Sequence, residues 1–302
     1  MHKFSHLLCA ASMIALLVPG AGTAATDTQW EPVAQALGKS GTEMPGGVYR
    51  IGMPRTDLNV TLDGVTLKPG FALGSWVAFE PMGKDAMVMG DLVLTQEEIE
   101  PVMKKLLDGG IEVSALHNHL LRASPLPFYM HISGHGDPVA LAHAIHEALV
   151  LSHTPLGNPP ASGAEAKLDL DTAMLDRTLG ASGKAAGGVY QFGIPRVEAV
   201  REHGMVVPPA MGTAESINFQ PTGNGKAAIT GDFVLTATEV APVMRTLREN
   251  GIDVTALHNH MLDDQPRLFF MHFWANDEAA KLAQGLRAAL DKVNVKKQVA
   301  AR

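Results

Sequence analysis

The chain has 302 residues, of which 46% are hydrophobic and 18% are charged, and its formal net charge is −7. An apolar fraction of this size can build compact cores, and the length suits two domains of ordinary size. A mildly acidic chain lacks the basic surface that nucleic-acid binding requires, so we expect no nucleic-acid partner.

The N-terminal stretch, residues 1–25, is predicted to be a secretory signal peptide. Lys3 supplies a positive start, residues 7–18 are mostly apolar, and small residues end the stretch at Ala24 and Ala25. This layout is typical of a cleaved signal, and the apolar run is too short for a confident membrane span. We therefore expect a periplasmic or secreted protein with no membrane span in its mature form.

Cys9 is the single cysteine of the sequence and lies inside this predicted signal peptide. It precedes most of the apolar run, whereas a lipidation cysteine should follow it, so we expect no lipid anchor. The mature protein would then have neither a disulfide nor a thiolate ligand. Any bound metal would depend on imidazole, carboxylate, amide or water ligands.

A long internal repeat organises the rest of the chain. The motif Ala115–His119 (ALHNH) returns as Ala256–His260, and the matches extend through most of both halves. A repeat of this length is typical of a duplicated domain rather than of a solenoid. A stretch rich in Pro, Gly and small residues separates the copies. The predicted boundaries are 26–153 for the first domain, 154–167 for the linker, 168–293 for the second domain and 294–302 for a frayed tail.

Each copy is predicted to run through the same series of elements: a short helix, a strand, a tight hairpin, two long strands, a capped helix, a histidine-bearing hairpin and an amphipathic helix. Asp63-Gly64 and His203-Gly204 mark the tight turns. Thr95 and Thr236 each open a capping box, and the helices are expected to end at glycine. The predicted fold class is therefore α+β, as two tandem copies of one mainly antiparallel sheet with helices packed against it.

The bounds of these predicted elements follow from apolar periodicity and turn residues. Pro101 and Pro242 lie inside the two capped helices and are expected to kink or delay them. The predicted long strands are 76–79, 86–94, 111–116 and 128–133 in the first copy and 217–219, 227–235, 252–257 and 269–274 in the second. The predicted final helices are 137–151 and 277–293.

Three histidines of the first copy are predicted to converge on one face of the sheet. His117 and His119 are two residues apart on a strand, so their side chains share a face. A hairpin centred near residue 124 would place His131 directly opposite His117. Three imidazoles with one open position are typical of a catalytic zinc site. The alternative is a hydrogen-bonded polar network that orders the hairpin.

The second copy repeats this trio as His258, His260 and His272, with His272 expected opposite His258. We therefore predict a divalent metal, with zinc favoured, in at least one copy. Asn118 and Asn259, which lie between the paired histidines, are expected to bond the backbone instead of a metal. Duplicated domains often pack as a homodimer would, so the two trio faces are expected to be related by a pseudo-two-fold axis.

Several charged residues are weaker candidates. Glu80 is a possible ligand or general base, although Gln220 replaces it in the second copy and an exposed strand end is the alternative. Arg55 and Arg196 either clamp an anionic group of a substrate or pair with Asp91 and Asp232. We expect no role in the site for Asp263 and Asp264, which lie in a polar loop, or for His143 and His146, which lie on a solvated helix face.

The paired ALHNH motifs, the segment FFMHFW at 269–274 and the run GDFVLTATEVAPVMRTLRENGIDV at 231–254 resemble a bacterial exported family. The family is named after the mycobacterial lipoproteins LppY and LpqO. The resemblance covers nearly all of both copies and implies a duplicated domain of unknown function. It supplies no activity, so the function has to be argued from the residues.

These patterns lead to two functional hypotheses. The first is an exported metal-dependent enzyme, most simply a zinc hydrolase that acts on an unknown small molecule or a cell-envelope component. The second is a non-catalytic periplasmic metal buffer or partner-binding scaffold. Catalysis predicts unequal sites in the two copies, whereas buffering predicts equal ones.

Overall fold

The computed structural model describes residues 29–157 and 168–296. The predicted signal peptide, most of the linker and the end of the tail lie outside these residues. The elements of the first copy are α1 (Glu31–Leu37), β1 (Thr42–Glu43), β2 (Tyr49–Pro54), β3 (Thr61–Leu62), β4 (Val65–Thr66), α2 (Pro69–Ala72), β5 (Gly74–Met82), β6 (Asp85–Leu94), α3 (Gln96–Asp108), β7 (Glu112–His117), β8 (Phe128–Gly136) and α4 (Pro138–Leu149).

The second copy repeats the series almost element for element. Its elements are α5 (Thr172–Leu179), β9 (Lys184–Ala186), β10 (Val189–Pro195), β11 (Val200–Glu202), β12 (Met205–Val207), a 3₁₀ turn (Pro209–Met211), β13 (Ala214–Gly223), β14 (Lys226–Thr236), α6 (Ala237–Glu249), β15 (Asp253–His258), β16 (Leu268–Glu278) and α7 (Ala279–Leu290). The predicted order of elements is confirmed in both copies.

Each copy forms its own six-stranded antiparallel sheet. The strand order is β1-β2-β5-β6-β8-β7 in the first sheet and β15-β16-β14-β13-β10-β9 in the second. The two short hairpins, β3–β4 and β11–β12, stand outside these sheets as separate two-stranded pairs. The predicted α+β fold, as two tandem copies of a mainly antiparallel sheet with helices, is confirmed.

Both faces of each sheet are covered. On β6, Val88 belongs to an apolar core that it shares with the helices of its own copy, including Leu106 and Ile145. Its neighbour Met89 belongs to a different core, which contains Phe270 of the second copy. Alternate residues of a strand point to opposite faces. The sheets therefore pack face to face, with a layer of helices outside each one.

The short hairpins tie the two copies together. The β3–β4 hairpin shares an apolar core with Trp274 of the second copy, and the β11–β12 hairpin shares one with Met89 of the first. Asp63, at the tip of the first hairpin, accepts a hydrogen bond of 3.0 Å from the indole N–H of Trp274. Each hairpin thus covers part of the other copy's sheet, and this exchange fixes how the sheets face each other.

The capping boxes predicted for α3 and α6 are present at Thr95 and Thr236. Both helices begin directly after these residues and continue through Pro101 and Pro242, so the predicted delay of the helix start does not occur. Within the described ranges, no helix is long and apolar enough to cross a membrane.

The prediction of a frayed tail is wrong for its first three residues. The backbone N–H of Val197 donates to the carbonyl of Asn294 at 2.9 Å, and that of Lys296 donates to Pro195 at 2.8 Å. These bonds hold residues 294–296 beside the end of β10. The polar composition that suggested fraying did not reveal this backbone pairing.

Candidate metal centre

The histidine hairpin of the first copy is formed by β7 and β8. Its register places Tyr129 opposite His117, and Ala115 opposite His131. The predicted direct pairing of His117 with His131 is therefore wrong by two residues. Their rings nevertheless converge, with centroids 4.9 Å apart. A shift of two positions preserves the face of a strand, so the prediction of convergence is unaffected.

The second copy has the same register, with Phe270 opposite His258 and Ala256 opposite His272. His119 and His260 follow the ends of β7 and β15, at the start of the loops that join the strands. Each loop is tied to the neighbouring short hairpin by an isolated bridge, between Thr61 and Ser124 or between Arg201 and Gln265. These bridges hold the loops, and therefore the histidines at their starts, over the opposite sheet.

The two predicted trios meet across the interface and form one cluster, which we call the histidine cluster. It consists of His117, His119, His131, His258, His260 and His272. The rings of His117 and His258 have centroids 3.6 Å apart. The pairs His119–His272 and His131–His260 are also 3.6 Å apart. The last two distances are equal because a pseudo-two-fold axis, which passes between His117 and His258, exchanges the two pairs.

The cluster is buried, and most of its nitrogen atoms have no ordinary partner. His119, His131, His260 and His272 are only 3–8% exposed. Across residues 29–157 and 168–296, both ring nitrogens of His117 and of His258, and Nε2 of the other four, are buried without a hydrogen bond. Such groups are normally satisfied in native proteins, and each unsatisfied one costs about 1–3 kcal/mol.

Two aspartates adjoin the cluster at equivalent positions. The register places Asp91 opposite His131, and Asp232 opposite His272. Asp91 Oδ1 lies 3.8 Å from His131 Nε2, and Asp232 Oδ1 lies 2.8 Å from His272 Nε2. In the described chain, neither oxygen makes a hydrogen bond. Each carboxylate oxygen therefore lies beside an imidazole nitrogen that has no hydrogen bond.

Burial favours the neutral form of five of the six histidines. Burial lowers the pKa of His117 to about 4 and that of His258 to about 2, and the nearby His272 adds to both shifts. The pKa values of His119, His131 and His260 are also lowered well below the usual range, chiefly by burial. A neutral imidazole has one free lone pair, which is the form that binds metal ions.

The donor atoms form two overlapping groups, each compact enough for one ion. His117, His119, His131 and His260 make one group, and His119, His258, His260 and His272 make the other; the ligand atoms within a group lie within 4.8 Å of one another. Each group is therefore one copy's trio with the middle histidine of the other copy. The prediction treated the trios as separate sites, whereas the structure makes them share His119 and His260.

A cavity of about 470 Å³ reaches one side of the cluster. His119 and His272 line it together with Asp91 and Asp232, so the donor atoms of this side face open space. On the other side, His131 and His260 line a space of only about 20 Å³. The size of the larger cavity is in the range of small-molecule sites.

The residues matched by a known family coincide with these two copies. The family is described as Domain of Unknown Function (DUF1259), and its profile matches residues 31–151 and 173–292. The chain belongs to this family. The matched ranges lie inside the two predicted domains, whose outer boundaries stay predictions. No curated protein matches the chain.

Two solved structures have some likeness to this member of the family. One is the trimeric bacterial microcompartment shell protein PduB, with 13% identity over 82% of this chain and 87% of that chain, and a TM-score of 0.21. The other is EtuB from Clostridium kluyveri, with 7% identity over 83% and 88% of the two chains, and a TM-score of 0.20. Scores this low support no conclusion about function.

Glu80 lies away from the cluster. It is on β5, four residues beyond Trp76, which pairs with Asp91. Four residues of a strand span about 13 Å, so the prediction of a ligand or general base at Glu80 does not agree with its position. Its counterpart Gln220 is a structural residue, which accepts from Lys68 N–H and donates to the Thr66 carbonyl, both at 2.8 Å.

The two candidate arginines are buried structural residues. Arg55 is 0% exposed and pairs with Asp57 at 2.7 Å and with Glu98 at 2.8 Å. Arg196 pairs in the same way with Glu239 at 2.9 Å. The predicted pairing with Asp91 and Asp232 is therefore wrong. Because each arginine follows the end of β2 or β10, it meets the first turn of α3 or α6, and its guanidinium does not face the cavity.

The remaining candidates mostly take their expected structural roles. Asn259 donates to the carbonyl of Leu268 at 2.7 Å, as predicted for this residue. Asp264 accepts from the N–H of Leu268 at 2.6 Å and so orders its loop. His146 differs from the prediction of a solvated residue, because its Nδ1 lies 2.9 Å from the carbonyl of Leu37 at the end of α1.

Sequence reasoning missed the role of Asp91 and Asp232 beside the cluster. Both follow a glycine that is repeated in the two copies, and a Cβ on Gly231 would lie 1.9 Å from the carbonyl oxygen of Ser216. The repeated Gly-Asp pair was the available signal. Its meaning depends on β6 and β14 lying next to β8 and β16, and this strand order was not predicted.

Proposed function

We propose that this protein is an exported metalloprotein whose histidine cluster binds divalent transition-metal ions, with zinc as the expected ion, and that it acts as a metal-dependent hydrolase. Export is proposed from the predicted signal peptide and from the resemblance to the LppY and LpqO family. The substrate is proposed to be a small molecule or a component of the cell envelope.

The observation that carries the proposal is the set of buried nitrogens without hydrogen bonds. Six imidazoles meet at the interface of two sheets, with His117 and His258 on the pseudo-two-fold axis. A purely structural network of histidines would pair these nitrogens with each other or with Asp91 and Asp232. Their lone pairs instead converge in groups of four, which supports a metal ion as the missing partner.

The number of bound ions decides whether the histidine cluster has an open position for catalysis. The two groups together need eight ligands, but they share His119 and His260, so six imidazoles serve both. A neutral imidazole has a single lone pair and binds one ion at a time. If two ions bind, each keeps three histidines and an open position. If one ion binds, four histidines surround it and leave no tetrahedral position for water.

The hydrolase proposal follows from the two-ion state. A zinc ion held by three histidines would supply an activated water and would polarise a carbonyl or phosphoryl oxygen. The ion held by His272 would lie beside the cavity of about 470 Å³. Asp232 would accept the proton of the water, because its Oδ1 is 2.8 Å from His272 Nε2 and therefore lies beside the position of the ion.

The alternative is a non-catalytic metal buffer or scaffold, and the one-ion state favours it. A closed four-histidine site binds without reacting. One observation supports the metal buffer or scaffold: four of the six imidazole rings are buried. The open space on one side of the cluster favours the enzyme, because a catalytic ion needs room for a substrate and a buffer does not.

Metal analysis of the purified mature chain tests the proposal. After reconstitution with zinc, copper, manganese and iron in turn, we expect close to two equivalents of zinc, since a working site should be nearly stoichiometric. One equivalent would support the closed four-histidine site and the buffer. Less than about a tenth of an equivalent of every metal would overturn the metal reading.

The matched control is a histidine outside the cluster. The double variant His119→Ala/His260→Ala removes both shared ligands and should abolish stoichiometric binding. His143→Ala removes an exposed histidine of α4 and should leave the metal content unchanged. Equal losses in the two proteins would mean that zinc binds to exposed histidines elsewhere.

A further inference from the structure

The two sides of the histidine cluster are related by the pseudo-two-fold axis, but only one of them is open. The registers of the sheets make Ser216 the counterpart of Trp76, since they face the equivalent aspartates Asp232 and Asp91. The same comparison makes Thr230 the counterpart of Met89. Trp76 and Met89 line the space of about 20 Å³, whereas Ser216 and Thr230 line the cavity of about 470 Å³, which Trp76 also borders.

The small side is closed by a specific packing of large side chains. The indole of Trp76 lies against Gly212, where an added Cβ would be 3.2 Å from the ring. The guanidinium carbon of Arg50 stacks on the same indole at 3.8 Å, and Arg50 also donates to the carbonyl of Ala210. The duplication has therefore left one filled half-site and one half-site with small polar residues.

The wall of the open cavity combines polar side chains with aromatic ones, which include Phe71, Trp76 and Tyr129, and it carries little net positive charge. Hydroxyl and amide side chains of the second copy line it, namely Gln191, Ser216, Asn218 and Thr230. Among the described residues that line it, Arg50 is the one guanidinium, and it is already engaged with Trp76 and Ala210. The carboxyl groups of Asp91 and Asp232 lie on the same wall.

This lining discriminates between classes of ligand. An anionic group would meet two carboxyl groups and an arginine that is already paired, so phosphates and nucleotides fit poorly. An apolar ligand would leave the hydroxyl and amide groups buried without partners, at about 1–3 kcal/mol for each group. A ligand with many hydroxyls can both donate to the carboxyl groups and accept from the hydroxyl and amide groups.

We infer that the open cavity beside His272 binds an uncharged, hydroxyl-rich molecule of sugar size, while the equivalent space beside His131 binds none. This inference rests on the proposed function, because it assigns the substrate class of the same metal centre. The cavity would hold the ligand against the ion carried by the second trio. The filled half-site would then serve only to bind metal.

The test compares saccharide binding by the zinc-loaded mature chain with binding by two variants. In each variant, one residue is replaced by its counterpart from the other copy. The probes are glucose, N-acetylglucosamine and maltose, with glucose 6-phosphate as the anionic comparison, and binding is followed by titration calorimetry. Thr230→Met should fill the open cavity as Met89 fills the closed space. We expect it to weaken saccharide binding by about tenfold or more, equivalent to at least 1.4 kcal/mol.

The matched control is the reverse exchange, Met89→Thr, on the closed side. Met89 does not line the open cavity, so this variant should bind the saccharides within about twofold of the wild type. Circular dichroism and zinc content of both variants show whether each has folded. If Thr230→Met does not fold, Ser216→Leu fills the same cavity from β13 and replaces it.

The outcomes separate this inference from the proposed function. Zinc binding without binding of any neutral saccharide overturns the inference alone, as does stronger binding of glucose 6-phosphate than of glucose. Saccharide binding that Thr230→Met and Ser216→Leu leave unchanged also overturns it. Saccharide binding to a wild type that holds no metal would keep the cavity as a binding site and overturn the metalloenzyme.

Discussion

The imidazole rings of His117 and His258 lie with their centroids 3.6 Å apart, one from each copy of the duplicated domain. They lie on either side of the pseudo-two-fold axis, and several other distances in the cluster occur as pairs related by it. The separation of His117 from His119, for example, equals that of His258 from His260, at 4.9 Å. The metal centre is therefore a property of the interface between the copies.

The shared histidines should matter more than the unshared ones for the first ion bound. His117→Ala leaves the second four-histidine group intact, so the tightest zinc equivalent should keep its affinity. His119→Ala breaks both groups and should weaken that equivalent by about 10- to 100-fold or more, since even the loss of an outer-shell partner has an effect of this size. Competition with a chromophoric zinc chelator measures the difference.

The symmetric pair provides the control for this comparison. His258→Ala should behave like His117→Ala, and His260→Ala should behave like His119→Ala, because the axis exchanges the members of each pair. Equal effects of all four substitutions on the first equivalent would contradict the overlapping four-histidine groups and would favour two independent trios.

Much of the fold could be predicted because the relevant signals are local. The capping boxes at Thr95 and Thr236, the Asp63-Gly64 turn and the apolar alternation of the strands each fix an element within a few residues. The convergence of His117 with His131 was predictable for the same reason. Strand faces repeat every two residues, so the face was correct even though the register was shifted by two.

The joining of the two trios could not be predicted, because it depends on contacts between residues far apart in the chain. Sequence patterns show that β6 is apolar on both faces, but they do not show that Met89 meets the second copy. The contact depends on the exchange of the short hairpins. Differences between the copies, such as Trp76 in the first copy where the second has Ser216, were visible in the repeat. Their importance could not be recognised before the cavity was known.

The two aspartates beside the cluster should differ in importance. Asp232 Oδ1 is 2.8 Å from His272 Nε2, whereas Asp91 Oδ1 is 3.8 Å from His131 Nε2. We expect Asp232→Asn to weaken zinc binding by about 10- to 100-fold and Asp91→Asn to have a smaller effect, because the shorter contact places the negative charge of Asp232 closer to the ion. The same chelator competition measures both variants. A larger effect for Asp91→Asn would show that the closed half-site is the stronger one.

The buried pair of Arg55 and Glu98 should make the stability of the protein dependent on acidic pH. The side chain of Glu98 is 4% exposed, and bonds from Arg55, His153 N–H and Thr95 N–H lower its pKa from 4.5 to about 2, against the opposing effect of burial. A depressed carboxyl pKa stabilises the folded state above the ordinary pKa, and this contribution is lost as the pH falls from about 5 towards 2.

Glu98→Gln keeps an oxygen for the capping bond but removes the charge. At pH 7 it should lower the free energy of unfolding by about 3 kcal/mol, and the gap should close between about pH 5 and pH 2. Urea unfolding at several pH values measures this gap. Glu97→Gln removes the same charge from an exposed neighbour and should have little effect. A gap that persists unchanged at pH 2 would show that packing, and not the ion pair, is responsible.

Glu80 should be a mildly destabilising residue without a part in the chemistry. Gln220, its counterpart, accepts from the N–H of Lys68 and donates to the carbonyl of Thr66. The residue equivalent to Lys68 is Pro208, which has no N–H, and an ionised carboxylate cannot donate. In the described chain, Glu80 Oε2 is accordingly buried without a hydrogen bond, and burial raises the pKa of this carboxyl.

Glu80→Gln should therefore stabilise the protein at pH 7 by about 0.5–1 kcal/mol, because an amide can donate where the carboxylate cannot. A raised pKa penalises the charged form in the folded state, so the gain is present at neutral pH, shrinks as the pH falls through the raised pKa, and is absent below the ordinary pKa of 4.5. Urea unfolding measures it, with the reverse exchange Gln220→Glu expected to destabilise. Zinc content should be unchanged in both variants. Loss of a metal-dependent activity in Glu80→Gln with full zinc content would instead make Glu80 a catalytic base, despite its distance of about 13 Å along β5 from the residue that pairs with Asp91.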